Sequence, residues 1–260
     1  MYRRYVRYTD SLELETITLL EGRTPVSGNQ PRKLSARSRP ETPRERARAA
    51  TMEEAKKIAL RQLADGGVEA ISLKAIALEL GLTGPAIYRY FTSRDELLTE
   101  LIVGAYDDLA ASLDATAKAT TTRPGPAQVH ALADAYRAWA LAQPHRYRLL
   151  FSAPVPGYDA NARRLVDAAD RSMATFLDVY ARTIGGPVGE KLPEALTRQL
   201  RDWALKHERD PGDPETLYRG VTTWTRLHGL VSLEIEGAFA SMGIDANTMF
   251  HREVDALATA

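Results

Sequence analysis

The stretch Ser72–Asp95, SLKAIALELGLTGPAIYRYFTSRD, constrains this chain more than any other. Leu73, Ile76, Ala77 and Leu80 recur at helical spacing, and Ser72 stands where an N-cap belongs. Gly81 follows the last periodic residue, where the chain must turn through left-handed backbone that side chains disfavour. Thr83 is placed to cap a second helix. Pro85 is tolerated in that helix's first turn because amides there have no intrahelical acceptor to lose. Ile87 and Phe91, four residues apart, face inward together, which leaves Thr83, Gly84, Tyr88 and Arg89 outward. Two short helices joined by a tight turn and presenting hydroxyls, a small residue and a guanidinium form a helix-turn-helix suited to lie against nucleic acid.

The same residues carry a family resemblance. Gly-Leu-Thr-x-x-x-Ile-Tyr-x-Tyr-Phe-x-Ser-Arg-x-Glu-Leu, from Gly81 to Leu97, resembles the signature of the tetracycline-repressor (TetR) family, and Ser72–Ala77 resembles the start of its second helix. The likeness spans roughly Arg46 to Leu101. Far downstream, Trp-Thr-Arg-Leu-His-Gly at Trp224–Gly229 resembles the tryptophan–histidine–glycine motif of one subgroup's carboxy-terminal domain. Two features depart from the pattern. The first helix has a thin apolar stripe (Met52, Ala55, Ile58, Ala59, Leu63) with Gln62 at a usually apolar place, and the preceding tail is longer than the family's usual one.

Charge distribution supports a nucleic-acid partner although the net charge is zero. Residues 1–94 carry 17 Lys and Arg against 11 Asp and Glu, whereas residues 95–260 carry 17 against 23. The basic half coincides with the helix-turn-helix, as expected if only that half approaches phosphate. The chain has no cysteine, which excludes disulfides, thiolate catalysis and Cys-based zinc sites. No apolar run approaches the ~20 residues that span a bilayer. The basic beginning of the chain is followed by Asp10, Glu13 and Glu15, which break the apolar stretch a signal peptide requires. The expected location is cytoplasmic, with no membrane partner.

Residues 1–41 mix Arg, Ser, Gly, Pro and Gln without a sustained period and read as a basic, disordered tail. It is either a solvated tail or an arm on the DNA backbone. From Thr42 onward the pattern is helical, broken at Thr120–Pro126, Ala153–Tyr158, Gly185–Pro193 and Asp210–Pro214. Stripes at 3.6-residue spacing include Val129, Leu132, Ala133, Tyr136 and Ala140, then Leu165, Ala169, Met173, Phe176 and Tyr180. No alternating strand pattern is long enough to assign. The expected fold is all-α, with nine or ten helices: a three-helix DNA-binding domain at 42–94, then a helical effector-binding and dimerisation domain at 95–260.

The DNA-binding residues expected are Ser72, Lys74, Thr83, Gly84, Pro85, Tyr88, Arg89, Tyr90 and Arg94. Tyr88 can donate to a phosphate oxygen, and Arg94, after Ser93, can clamp the backbone at the next helix's start. Thr83, Gly84 and Pro85 lie at the amino end of the recognition helix, where reading relies on apolar contact or close backbone approach. Trp139, Tyr147, Phe151, Trp224 and His228 are the expected ligand-lining residues, because a buried imidazole in an aromatic surround offers one polar handle. A fully packed aromatic core is the competing reading. The resemblance implies a dimer through the last two long helices, for which Leu227, Val231, Ala238, Phe250 and Val254 are the expected contacts. An intramolecular core is the alternative.

Enzymatic readings find little support. The five histidines are scattered, no pair stands at metal-ligand spacing with a carboxylate on the same face, and no phosphate loop or nucleophile elbow occurs. No cofactor and no metal are expected. The resemblance implies a one-component transcriptional repressor. It would bind a palindromic double-stranded DNA operator as a homodimer and be released by a small, mostly apolar effector. The alternatives are an effector-independent DNA-binding protein, and an all-helical small-molecule-binding protein with a vestigial helix-turn-helix.

Overall fold

The computed structural model describes residues 42–151, 163–183, 192–207 and 212–259. The expectations for residues 1–41, for Ala153–Tyr158 and for most of Gly185–Pro193 lie outside the described residues. Among the described residues there are eleven α-helices, one more than the upper expectation, with a 3-10 turn at Val68–Ala70 and no strand. The helices are α1 (Pro43–Gly66), α2 (Leu73–Glu79), α3 (Gly84–Ile87), α4 (Arg94–Thr120), α5 (Gly125–Ala142), α6 (Pro144–Phe151), α7 (Arg163–Thr183), α8 (Glu194–Lys206), α9 (Pro214–Ile235), α10 (Ala238–Ser241) and α11 (Ala246–Thr259).

Local chemistry sets the amino-terminal boundaries. Thr42 and Glu45 form a reciprocal capping box that opens α1, with Pro43 in the first turn. Ser72 caps α2 by accepting from the Ala75 amide at 3.3 Å. Gly81, at φ 68°, makes the left-handed turn that the sequence required. Thr83 differs from expectation, because its hydroxyl makes no capping bond; its carbonyl accepts from the Ala86 amide instead. Only Gly84–Ile87 is α-helical there, and Tyr88–Tyr90 continue as tight turns. Ser93 caps α4 through the Glu96 amide at 3.0 Å.

Two apolar cores follow. The first gathers Ala55, Ile58 and Leu63 of α1, Ile76 of α2, Ile87 and Phe91 beside α3, and Leu97, Leu98 and Leu101 of α4. Gln62 is no defect in this packing. Its side-chain carbonyl accepts the Ser72 amide at 3.0 Å and so fixes the start of α2 against α1. The second core is built from Leu109 and Leu113 of α4 with side chains of α5, α7, α9 and α11. α4 therefore contributes to both. α7 and α9 pack tightly at Gly220, where an added Cβ would stand 2.3 Å from Leu177 Cδ2.

The dimer contacts expected from sequence are corrected here. Leu227, Val231, Phe250 and Val254 are at most 1% exposed and belong to the second core of the protomer itself. Ala238, at the start of α10, is half-buried. The reason is amphipathic: α9 and α11 turn their most apolar stripes inward against α5 and α7, so those side chains are consumed within one chain.

Candidate functional site

The outward face of the helix-turn-helix is assembled from short elements held by the first core. Lys74, Thr83, Gly84, Pro85 and Arg89 are exposed, Ser72 and Tyr90 are half-buried, and Tyr88 is 55% exposed for a large aromatic side chain. A hollow of about 390 Å³ beside the start of α3 is lined by Ser72, Lys74, Ala75, Leu78, Leu82 and Gly84. A second, of about 540 Å³, brings Thr42, Arg44 and Arg48 of α1 together with Arg89 and Tyr90. Arg48 donates to the Arg89 carbonyl at 2.9 Å, and its guanidinium lies over the Tyr90 ring at 5.6 Å from the centroid. Sequence reasoning missed Arg48. Its distance of 41 residues from Arg89 leaves no local signal, although the basic run of α1 is visible.

Arg94 does not face outward as a phosphate clamp, and that expectation is corrected. Its Nε donates to the Ile71 carbonyl at 3.1 Å, Nη2 reaches the Val68 carbonyl, and the Glu69 carboxylate stands 3.7 Å away. The guanidinium thus closes the 3-10 turn onto the start of α4. A cation committed to two carbonyls and a carboxylate supports the geometry of the motif instead of touching its partner.

In the second core, Tyr147, Phe151, Trp224 and His228 do come together, as expected, with Tyr106, Tyr136 and Phe176 added. Phe151 and His228 have ring centroids 4.7 Å apart, Tyr147 and Phe151 4.9 Å, and Tyr136 and Trp224 5.0 Å. Phe176 meets the Trp224 ring at 6.4 Å, and Tyr106 meets Phe151 at 6.2 Å. The hydroxyl of Tyr147 lies 2.9 Å from His228 Nδ1 and 3.1 Å from the His228 carbonyl, and the hydroxyl of Tyr136 lies 3.3 Å from the same Nδ1. Burial pushes the His228 imidazole below its ordinary pKa and so holds it neutral, and burial pushes the Tyr106 and Tyr147 phenols up to about 12.

Trp139 is separate from that group in its bonding. Its indole N–H donates to Asp108 of α4 at 2.9 Å, beside donations to the same carboxylate from Gln143 at 3.1 Å and Arg146 at 3.0 Å. Burial alone would raise the Asp108 pKa, but these hydrogen bonds and the Arg146 charge outweigh it and hold the carboxyl below its ordinary value. Arg146 also donates to the Gly104 carbonyl at 3.0 Å. The node ties α4 to the α5–α6 junction. No local signal in the sequence marks this node, because the indole partner of Asp108 sits 31 residues away. No group of side chains able to hold a metal occurs among the described residues. No described helix is long and apolar enough to cross a membrane.

A helix-turn-helix with a basic outward face, followed by a helical bundle with an aromatic polar centre, defines a helical DNA-binding regulator. Comparison with known proteins agrees. Residues 57–101 match the family of bacterial regulatory proteins called the tetR family, and residues 129–257 match the tetracyclin repressor-like carboxy-terminal domain. The HTH-type transcriptional regulator Rv1816 of Mycobacterium tuberculosis is 37% identical over 196 residues, covering 73% of this chain and 83% of that protein. A crystal structure of the regulatory protein SCO4313 is 41% identical, with a TM-score of 0.69 over 83% of this chain and 98% of that one. A protein of unknown function from Rhodococcus sp. RHA1, 21% identical with a TM-score of 0.60, covers 80% of this chain and 94% of its own; it shares the fold. The chain belongs to the TetR family and is a transcriptional regulator.

Proposed function

We propose that the protein is a repressor that occupies a palindromic operator as a homodimer and releases it when a small molecule binds the aromatic centre around His228. The observation that carries the DNA part is the outward presentation of Lys74, Gly84, Pro85, Tyr88 and Arg89 on a motif whose apolar side chains are spent in its own core. Lys74, Tyr88 and the Arg48–Tyr90 pair take phosphates, while Thr83, Gly84 and Pro85 approach base edges closely. The DNA-binding unit runs from Thr42 into α4, because Leu97, Leu98 and Leu101 complete its core. The remainder, to Ala260, binds effector and partner in the cytoplasm.

The dimer face lies opposite the stripe that builds the core. On α9, Thr222, Thr225, Gly229 and Leu233 recur along the outer side, and on α11 Met249, Arg252 and Ala256 do the same. An Arg226–Glu253 ion pair of 3.0 Å joins the two helices there. An added Cβ at Gly229 would meet nothing within 4 Å, so the glycine answers to no neighbour among the described residues. Two half-sites one DNA turn apart require recognition helices ~34 Å apart. The Asp108 node on α4 is the connection through which a change in the bundle alters that spacing.

A footprint of the intact protein on the promoter beside its own gene tests this reading. A protected inverted repeat is the expected result, with log affinity falling by ~0.9 per neutralised phosphate as log salt rises. Binding that shows no preference for any duplex sequence overturns it.

A further inference from the structure

Leu78 of α2 is 80% exposed, more than any other large apolar side chain among the described residues. One exposed leucine is ordinary on a protein surface. This one has company. With Ala75, a turn earlier on α2, and Leu82, just before α3, it walls the hollow of about 390 Å³ that Gly84 also lines. Leu82 packs on the first core, which fixes that wall from behind. An added Cβ at Gly84 would meet nothing within 4 Å among the described residues, so the missing side chain keeps the hollow open and serves no internal packing. Ser72 and Lys74 complete the lining. The Ser72 hydroxyl oxygen accepts the Ala75 amide at 3.3 Å, while its own proton and the Lys74 ammonium meet no acceptor among the described residues.

On the reading of this motif as an operator-binding one, we propose that the hollow takes the 5-methyl group of a thymine in the major groove, so that Ala75, Leu78 and Leu82 select thymine at one position of each half-site. Thymine alone among the four bases presents a methyl beside an acceptor, O4, at its major-groove edge. The hollow is the complement of that edge: apolar walls for the methyl, with the Lys74 ammonium and the Ser72 hydroxyl to donate to O4. Cytosine and adenine would set an amino donor against those donors. Guanine offers Lys74 two acceptors but no apolar group, and the leucine would stay wet. Lys74 and Gly84 belong both to the hollow and to the outward face of the motif, so the hollow continues the surface that meets the duplex and carries a cation at its edge.

Fluorescence anisotropy of the intact protein on the operator located by footprinting tests this. In a series of duplexes, 2′-deoxyuridine, which lacks only the methyl, replaces one thymine at a time in both half-sites. One position should lose affinity about fourfold per half-site, and about fifteenfold for the pair, the value of one buried methyl group. Leu78→Ser, folded by circular dichroism because the side chain is exposed, should bind the thymine and uracil duplexes equally at that position. Leu78→Met, which keeps an apolar wall, should retain most of the difference. Equal binding by the wild type at every thymine, or methyl effects that all survive Leu78→Ser, overturns the inference and leaves operator recognition in place. A Leu78→Ser change that alters sedimentation without altering any methyl effect would give the hollow to a second copy of the chain, and also overturns it. Binding without preference for any duplex overturns the operator reading itself.

Discussion

The guanidinium of Arg94 donates from Nε to the Ile71 carbonyl across 3.1 Å, so the first residue of α4 holds the turn that precedes α2. Removing it leaves two carbonyls and the Glu69 carboxylate without their cation. Arg94→Ala should destabilise the protein by about 1–2 kcal/mol, the cost of unmaking hydrogen bonds to a charged group at a half-buried position. At this chain length that lowers the Tm by several degrees. Calorimetry should show the shift, and DNA affinity at low temperature should stay close to wild type. A large affinity loss with an unchanged Tm would restore Arg94 to the phosphate contacts.

Tyr88 should behave in the opposite way. Its ring stands 55% exposed and its hydroxyl supports no internal bond among the described residues. Tyr88→Phe should leave the Tm unchanged and weaken binding to operator and random duplex alike, by about 0.5–1.5 kcal/mol per subunit. Fluorescence anisotropy on both duplexes measures this. Selective loss on the operator alone would place Tyr88 at a base edge.

The contrast between these two residues shows what the sequence disclosed. The helix-turn-helix was legible because its signals are local: a cap three residues before its amide, apolar side chains four apart, and a glycine where φ turns positive. Arg94 was misread because its partners are backbone carbonyls 23 and 26 residues earlier, and nothing in a sequence marks a carbonyl as an acceptor. The Trp224–His228 pair was visible as an i,i+4 spacing. Its phenol partners Tyr136 and Tyr147 lie 92 and 81 residues upstream and emerge only when α5 and α6 pack on α9. Leu227 and Val231 were assigned to a partner because the resemblance implies a dimer through the last two long helices. Periodicity does not say which side faces its own chain.

The dimer face gives a test in which folding and assembly separate. Gly229→Arg adds a side chain at a position where a Cβ meets nothing within 4 Å among the described residues, and it replaces a residue that disfavours a helix interior by about 1 kcal/mol. The variant should therefore stay folded but sediment as a monomer that binds a palindrome weakly. Val231→Asp should instead unfold the protein, because it buries an unpaired carboxylate in a side-chain position with no exposure. Circular dichroism and analytical ultracentrifugation of the two variants distinguish the cases. A dimeric Gly229→Arg protein would move the interface off this side of α9.

Asp108 of α4 and the Trp139 indole offer a test of communication between the two cores. Asp108→Ala removes the shared acceptor of Trp139, Gln143 and Arg146. The protein should keep its operator affinity and its ligand affinity within about threefold, while the coupling between them, ordinarily about 1–3 kcal/mol, falls towards zero. Operator titrations with and without a small, mostly apolar aromatic test ligand yield that coupling. An unchanged coupling would show that α4 is driven from elsewhere in the bundle.

His228 should also leave a signature in the pH dependence of stability. Burial lowers its folded-state pKa, so the unfolded chain holds more protons wherever the two states differ. Above about pH 6.5, the ordinary histidine value, both states are neutral at this ring and it contributes no slope. As pH falls below that value the unfolded chain is protonated first, and stability declines until the folded ring is protonated too. Of the remaining histidines, His130 faces Asp255 and His251 faces Asp134, each at 3.1 Å, and His207 pairs with Asp170. They are common to the wild type and His228→Gln, so subtracting one profile from the other isolates the buried ring. Urea denaturation between pH 5 and 8 should show the wild type losing stability faster than the variant below about pH 6.5. A difference between the two profiles that does not change with pH would mean that His228 is as easily protonated in the folded protein as in the unfolded chain.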